Sequence, residues 1–150
     1  MTPTGMQATD FSRKNQHGEP VKLSDYRGKL VLLDFWGSWC IPCRHTHPHL
    51  KELYRKYKSK GLEIVAVANE KGSTLADRQK TWLAAIKKDD IPWVHVLNDE
   101  ETGEKNPAVA YGIYSYPTKV LIDKEGKILM RVNAVHNDEM DQLIEKILNK

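Results

Sequence analysis

Short apolar stretches bounded by turn residues recur along the chain and predict β-strands. Two of them are interrupted by a single acid each, which is typical of strands buried on both faces of a sheet. Hairpins are predicted around a glycine in the first stretch and between the last two stretches. The predicted regions are Phe11 to Leu23 (a hairpin), Leu30 to Phe35, Leu62 to Ala68, Ile91 to Leu97, Lys119 to Asp123 and Lys127 to Val132.

Between these stretches, apolar residues recur every three or four positions, which predicts amphipathic helices. The first helix follows Cys40 and ends at Gly61, and Pro48 inside it predicts a kink or a restart. A second helix is predicted from Thr74 to Lys88 and a short one from Asn106 to Gly112. The apolar faces are Leu50, Leu53, Tyr54 and Tyr57 in the first helix, Trp82, Leu83 and Ile86 in the second, and Met140, Leu143, Ile144 and Ile147 in a last helix from about Asp138.

This order of elements predicts the α/β class, with a mixed central β-sheet flanked by helices on both faces. An N-terminal β-hairpin precedes the sheet, and the helix from Thr74 to Lys88 is a central insert. A chain of 150 residues is long enough to bury one core. We therefore expect residues 1–150 to form a single domain, with residues 1–10 as a flexible lead-in.

The net charge is +3, and acidic and basic residues are interspersed, so nothing indicates a nucleic-acid partner. No apolar run approaches the length of a membrane span, and the segment from Met1 to Gln7 has no apolar signal-peptide core. Either the protein is cytoplasmic, or a signal or anchor was removed. The charged runs Arg55–Lys60 and Lys87–Asp90 are interpreted as solvated helix ends without a function.

The chain has two cysteines, Cys40 and Cys43, three positions apart. A bond between them closes too small a loop to stabilise the fold much, so reactivity explains them better. The pair follows a predicted strand and opens a helix, whose N–H groups and dipole favour a thiolate. In such motifs the thiol pKa falls from about 8.5 to about 7 or lower. Cys40 would then attack a substrate disulfide, and Cys43 would resolve the mixed disulfide.

The two residues between the cysteines tune this chemistry. Pro42 has no N–H to offer a thiolate, and Ile41 adds bulk without charge. Both features predict a less stabilised thiolate than that of a strongly oxidising enzyme. The sequence therefore favours a reductant of disulfides.

The segment Phe35 to Arg44, with Pro48 five residues after Cys43, resembles the active-site segment of the thioredoxin superfamily. More narrowly, the chain resembles the TlpA/ResA-like thiol–disulfide oxidoreductases of bacterial envelopes, which have an AhpC/TSA-Redoxin-type thioredoxin-like domain. The segments Gly18 to Lys29 and Tyr116 to Lys127 and the insert around Trp82 carry this likeness. It extends from about Phe11 to the last helix and implies a thioredoxin-like fold.

The resemblance also implies roles for individual residues. Pro117 would be a cis-proline facing the dithiol, where the adjacent backbone pairs with the substrate, and an X-Pro bond is the one suited to this. Tyr116 would narrow the groove over Cys40, and Trp39 would shield the thiols. We count Trp39, Ile41, Pro42 and Tyr116 as substrate-binding residues, and we interpret Trp36 as a packing residue.

Asp34 corresponds to a buried acid that, in thioredoxins, moves protons to and from the resolving cysteine. An inert, hydrogen-bonded carboxylate at a strand end is the alternative. The sequence departs from the family pattern around Asp34 in two ways. The strand Leu62–Ala68 lacks the lysine that partners this acid in thioredoxins, and Thr46 stands where the TlpA/ResA group often has a glutamate. Asp34 is therefore predicted to be the only acid near the dithiol.

The resemblance implies redox cycling of Cys40–Cys43 without a bound cofactor or metal. Partners would be protein disulfides or dithiols and an upstream thiol electron donor, with no nucleic acid and no membrane span in the chain. In that group the substrates include apocytochrome c thiols. A periplasmic or cell-envelope location is implied, with the cytoplasm as the alternative, and we expect a monomer.

The sequence also bears on three other functions. His45, His47 and His49 follow the dithiol, so a copper- or zinc-binding chaperone remains an alternative, although solvated histidines are commoner. A thiol peroxidase would need Thr or Ser at Gly37 and proline at Leu33, and it fails on both. A binding module with a vestigial dithiol is disfavoured because nothing in the motif is degraded.

Overall fold

The computed structural model describes residues 4–98, 106–135 and 137–149. Within them the chain forms seven strands, five α-helices and two short 3₁₀ helices (Leu23–Tyr26 and Lys58–Lys60). The strands are β1 (Ser12–Lys14), β2 (Pro20–Lys22), β3 (Leu30–Trp36), β4 (Leu62–Ala68), β5 (Val94–Leu97), β6 (Thr118–Ile122) and β7 (Ile128–Val132). The helices are α1 (Ile41–His45), α2 (His47–Tyr57), α3 (Leu75–Asp89), α4 (Pro107–Ala110) and α5 (Asp138–Leu148).

The sheet has five strands in the order β5-β4-β3-β6-β7, and β1 and β2 form a separate hairpin. Strand β3 is parallel to β4 and antiparallel to β6. All seven residues of β3 are buried, as its apolar run predicts for a central strand covered on both faces. The mixed sheet and the N-terminal hairpin confirm the fold class predicted from the sequence.

Alternate residues of β3 point into two separate cores. Leu30, Leu32 and Trp36 pack in a cluster with Cys40, Cys43 and the apolar faces of α2, α3 and α5. Val31, Leu33 and Phe35 pack on the other face, with the hairpin and α4. The reactive pair therefore lies on the face of the sheet that carries the long helices.

The first predicted helix is divided into α1 and α2, which confirms the kink or restart predicted at Pro48. The prediction for the apolar face of α3 was wrong in one residue, because Leu83 is 43% exposed. Trp82 is buried as predicted, and Ala85 is buried in place of Leu83, since Leu83 is turned about 100° from Trp82 around the helix axis. Strand β5 begins at Val94, so Pro92 precedes the strand rather than starting it.

Residues near the start of the chain are paired with both outer strands of the sheet. At β7, the Ile128 N–H donates to the Met6 carbonyl, and the Gly5 N–H donates to the Ile128 carbonyl. At β5, Asn15 forms an antiparallel bridge with Val96. These bonds tie residues 5 and 6 of the predicted lead-in to the sheet. Among the helices that the structure describes, none combines the length and the apolar character needed to cross a membrane.

Candidate active site

The two cysteines lie at the turn between β3 and α1. Cys40 is the N-cap of α1, and its Sγ accepts a hydrogen bond of 3.2 Å from the Cys43 N–H. A disulfide joins the pair, with the two Cα atoms 5.2 Å apart. The helix thus begins with a backbone donor aimed at the sulfur, which is the arrangement that stabilises negative charge there.

Exposure differs along the turn. Cys40 is 4% exposed and Cys43 is 1% exposed. Ile41, at 62%, and Pro42 are exposed beside them, as is Trp39 at 38%. Cys40 is therefore the slightly more exposed cysteine, bordered by apolar side chains that a peptide can contact.

Trp39 is fixed by two neighbouring loops. Its Nε1–H donates to the Asn69 carbonyl at 2.7 Å, and its ring meets the Tyr116 ring edge-to-face at 5.6 Å. The Asn69 amide donates in turn to the Tyr116 hydroxyl at 3.1 Å. The Tyr116–Pro117 peptide bond is cis, and Pro117 is buried. The loops after β3, after β4 and before β6 therefore meet at one wall beside the dithiol.

A buried carboxylate anchors the loop before Cys40. Glu70 is 4% exposed and accepts a hydrogen bond of 2.7 Å from the Ser38 N–H. It also accepts from the Ser38 hydroxyl and, at 2.6 Å, from the Thr81 hydroxyl on α3. Glu70 was not among the predicted site residues, although an acid two residues after a buried apolar strand was a signal for it.

A second carboxylate binds the residue after Cys43. Asp89 accepts bonds from Arg44, at 2.9 and 2.7 Å, and contacts His47 Nδ1 at 2.9 Å. The Arg44 bond holds the pKa of Asp89 below its usual range, whereas burial lowers the pKa of His47. The interpretation of Lys87–Asp90 as a solvated helix end was therefore wrong for Asp89, because its carboxylate joins α3 to α1 and α2.

Asp34 is 1% exposed and lies opposite a different residue on each neighbouring strand. Ala66 of β4 is its partner on one side, and Lys119 of β6 is its partner on the other. Lys119 Nζ is 3.7 Å from Asp34 Oδ1. Neither charged group has a hydrogen-bond partner among the described residues. The cation beside this acid thus comes from β6, while β4 supplies a small side chain.

Thr46, which stands where the related group often has a glutamate, is buried at the break between α1 and α2. Its hydroxyl donates to the Cys43 carbonyl at 2.7 Å. The hydroxyl therefore satisfies a backbone acceptor at the end of the short helix and brings no charge to the site.

The three histidines after the dithiol do not converge. His45 is exposed, His47 is buried against Asp89, and His49 is bonded to Asp141 at 2.7 Å. In the part of the chain that the structure describes, no three His, Cys, Asp or Glu side chains are grouped to hold a metal ion. The metal-chaperone alternative is therefore unsupported. Trp36, at 0% exposure, is a packing residue as predicted.

Comparison with known proteins gives consistent matches. The profile of the AhpC/TSA family matches residues 4–131. The thiol-disulfide oxidoreductase ResA of Bacillus thuringiensis subsp. konkukian (strain 97-27) is 33% identical over 147 residues, covering 95% of this chain and 78% of that protein.

Solved structures agree with the sequence matches. The thioredoxin domain of a thiol-disulfide oxidoreductase from Bacteroides vulgatus is 31% identical with a TM-score of 0.85, covering 99% of this chain and 100% of that one. A thiol:disulfide interchange protein from Bacteroides sp. is 32% identical with a TM-score of 0.84, covering 99% and 92%. The chain therefore belongs to the AhpC/TSA family and, within it, is a thioredoxin-fold relative of the ResA thiol–disulfide oxidoreductases.

Proposed function

We propose that this protein reduces protein disulfides by cycling Cys40 and Cys43 between dithiol and disulfide. The observation that carries the proposal is the bonded pair at the start of α1, with the Cys43 N–H donating to Cys40 Sγ. The same N–H can hold a Cys40 thiolate in the reduced protein. No bound cofactor is needed, because the two sulfurs themselves carry both electrons.

The reaction proceeds in two exchanges. The Cys40 thiolate attacks one sulfur of the substrate disulfide, a mixed disulfide forms, and the other substrate sulfur leaves as a thiolate that takes a proton from water. Cys43 then gives its proton to the Asp34 carboxylate and attacks Cys40 Sγ. The second substrate thiolate leaves, and the Cys40–Cys43 disulfide remains. Two electrons have passed to the substrate, and an upstream dithiol donor must return them.

The substrate would lie against the wall formed by Trp39 and the loop before β6. Trp39 and Ile41 expose apolar surface on either side of Cys40, and Tyr116 packs against Trp39. Pro42 is exposed beside them. An extended peptide beside Pro117 would meet the more exposed sulfur first, which supports Cys40 as the nucleophile and Cys43 as the resolving residue.

The direction of electron flow follows from the dipeptide between the cysteines. Pro42 lacks an N–H and Ile41 carries no charge, so fewer groups stabilise a thiolate than in a strong oxidant. A location in the cell envelope, facing the periplasm, is supported by the resemblance to the TlpA/ResA group. Apocytochrome c thiols are the substrate class that this resemblance favours, and we take the monomer as the working unit.

The test is the reduction potential of the pair, measured by equilibration with dithiothreitol or glutathione and followed by tryptophan fluorescence. A value near or below about −250 mV supports a reductant, and a value near about −120 mV would make the protein a disulfide donor. Cys40→Ser should abolish reduction of insulin disulfides, whereas Cys43→Ser should accumulate a mixed disulfide. An active Cys40→Ser protein with unchanged circular dichroism would overturn the mechanism.

A further inference from the structure

Asp34 and Lys119 form a buried pair on the sheet face that packs against Cys43. Their Cα atoms are directly opposed in the antiparallel β3–β6 ladder, so both side chains lie on the same face. Asp34 stands between Leu32 and Trp36, which share a cluster with Cys43. The side chains of Asp34 and Lys119 are 1% and 7% exposed. Charges buried this deeply are retained at a cost, so a role in the chemistry is the natural explanation.

The geometry of the pair is unusual for a structural ion pair. At 3.7 Å, Nζ and Oδ1 are too far apart for a hydrogen bond, and neither group has a hydrogen-bond partner elsewhere in the described residues. A structural pair is normally closed by short bonds that satisfy both groups. Here each group keeps free capacity to bind a proton carrier.

Lys119 also lines a small cavity between the sheet and helices α2 and α5. Its volume is about 20 Å³, enough for one water molecule. Lys119, Thr46 and Asn137 supply polar groups to its lining, and the bonded pair His49–Asp141 stands at its rim. A water molecule there would have the two or more polar partners that such a site requires.

We propose that Lys119 is the positioning residue that keeps Asp34 ready to accept the Cys43 proton, and that the cavity behind Lys119 passes this proton to solvent. This inference rests on the proposed function. The Lys119 ammonium, 3.7 Å from Asp34 Oδ1, orients the carboxylate on the sheet face that packs against Cys43. When Cys43 ionises, its proton moves to Asp34. Lys119 lines the cavity and Asp34 does not, so the proton then leaves past Lys119 to the water there and out by His49–Asp141.

The test separates the two exchanges with 5,5′-dithiobis(2-nitrobenzoic acid). Reduced protein releases one thionitrobenzoate when Cys40 attacks and a second when Cys43 resolves the mixed disulfide. In Lys119→Met the first phase should keep its rate. The second should slow roughly tenfold or more at neutral pH, in the range of lost acid–base assistance. The pH–rate profile of the second phase is recorded for both proteins.

Several ionisable groups face Lys119 and must be considered in that profile. They are Asp34 on β3, His47 and His49 on α2, and Asp141 on α5. His49→Gln identifies any contribution from the rim of the cavity, since only a slowing by Lys119→Met that persists in this background belongs to the Asp34–Lys119 pair.

Controls distinguish positioning from folding. Lys119→Arg keeps the cation and should retain most of the second-phase rate. Lys124→Met removes an exposed lysine from the same hairpin and should leave both rates unchanged. Asp34→Asn should slow the second phase like Lys119→Met, and the double variant should be no slower. Ala134→Leu, which fills the cavity with the pair intact, should also slow this phase.

The outcomes separate this inference from the proposed function. Wild-type protein without two release phases would refute the proposed function and this inference with it. A normal wild type with an unchanged second phase in Lys119→Met would refute the positioning role alone. If Lys119→Met slows the second phase as much in the Asp34→Asn background as in the wild type, the lysine acts on a group other than Asp34. An unaffected Ala134→Leu variant would exclude the cavity as the proton path.

Discussion

Arg44 and Asp89 form a two-pronged ion pair that joins the helix of the dithiol to the end of α3. Nε and Nη2 of Arg44 reach the two carboxylate oxygens at 2.9 and 2.7 Å, and both side chains are less than a quarter exposed. Asp89→Ala should lower the free energy of unfolding by about 2 kcal/mol, because two charge-assisted bonds are lost and the buried His47 loses its carboxylate partner. Urea denaturation measures the change. Glu52→Ala breaks an exposed pair with Arg55 and should have no measurable effect; equal effects of both variants would contradict the assignment.

Gly37 is required because other atoms occupy the position that a Cβ atom would take at this residue. A Cβ there would lie 2.4 Å from Trp39 Nε1 and 2.8 Å from the Asn69 carbonyl oxygen, between the two atoms of a hydrogen bond. Gly37→Ala should therefore displace Trp39 and destabilise the fold by about 1–3 kcal/mol. Urea denaturation and Trp39 emission report the two effects. In a Trp39→Ala background the cost should fall, and an undiminished cost would place the clash elsewhere.

His95 should make stability depend on pH. It is fully buried, its Nε2–H donates to the Ile91 carbonyl, and burial lowers its pKa to about 3. Below about pH 6.5 the unfolded chain binds a proton at His95, whereas the folded protein does not. The contribution of His95 to the free energy of unfolding is therefore fully present above that pH and falls as the pH decreases. Lowering the pH from about 7.5 to about 5 should lower the free energy of unfolding by about 2 kcal/mol through this residue. Burial lowers the pKa of His47 as well, so it adds in the same direction.

Urea denaturation at the two pH values tests this, and His95→Gln should remove that share of the loss. His17→Gln, at an exposed histidine, should keep the full pH dependence. If His95→Gln and the wild type lose the same stability between the two pH values, His95 is not the responsible group.

What could be predicted from the sequence is local in origin. The buried run of β3, the Cys40–Cys43 pair at a helix start and the break near Pro48 each depend on a few consecutive residues. The position of Lys119 beside Asp34 was not predicted, because it depends on β6 lying antiparallel beside β3, which no local pattern specifies. Leu83 was assigned to the core by residue type, but the position of α3 on the sheet decides which side of the helix is buried. The single-domain assignment of residues 1–150 stays a prediction, and residues 1–3, 99–105, 136 and 150 of it lie outside the described residues.

The pairing of the first residues with both outer strands has a consequence for how the protein behaves in concentrated solution. Unpaired strand margins are templates to which another chain can add its own strand, and this is a route to aggregation. Asn15 pairs with part of the β5 edge, and Gly5 and Met6 pair with the start of the β7 edge. A segment that takes no part in the chemistry thus hinders the growth of the sheet from one molecule into the next.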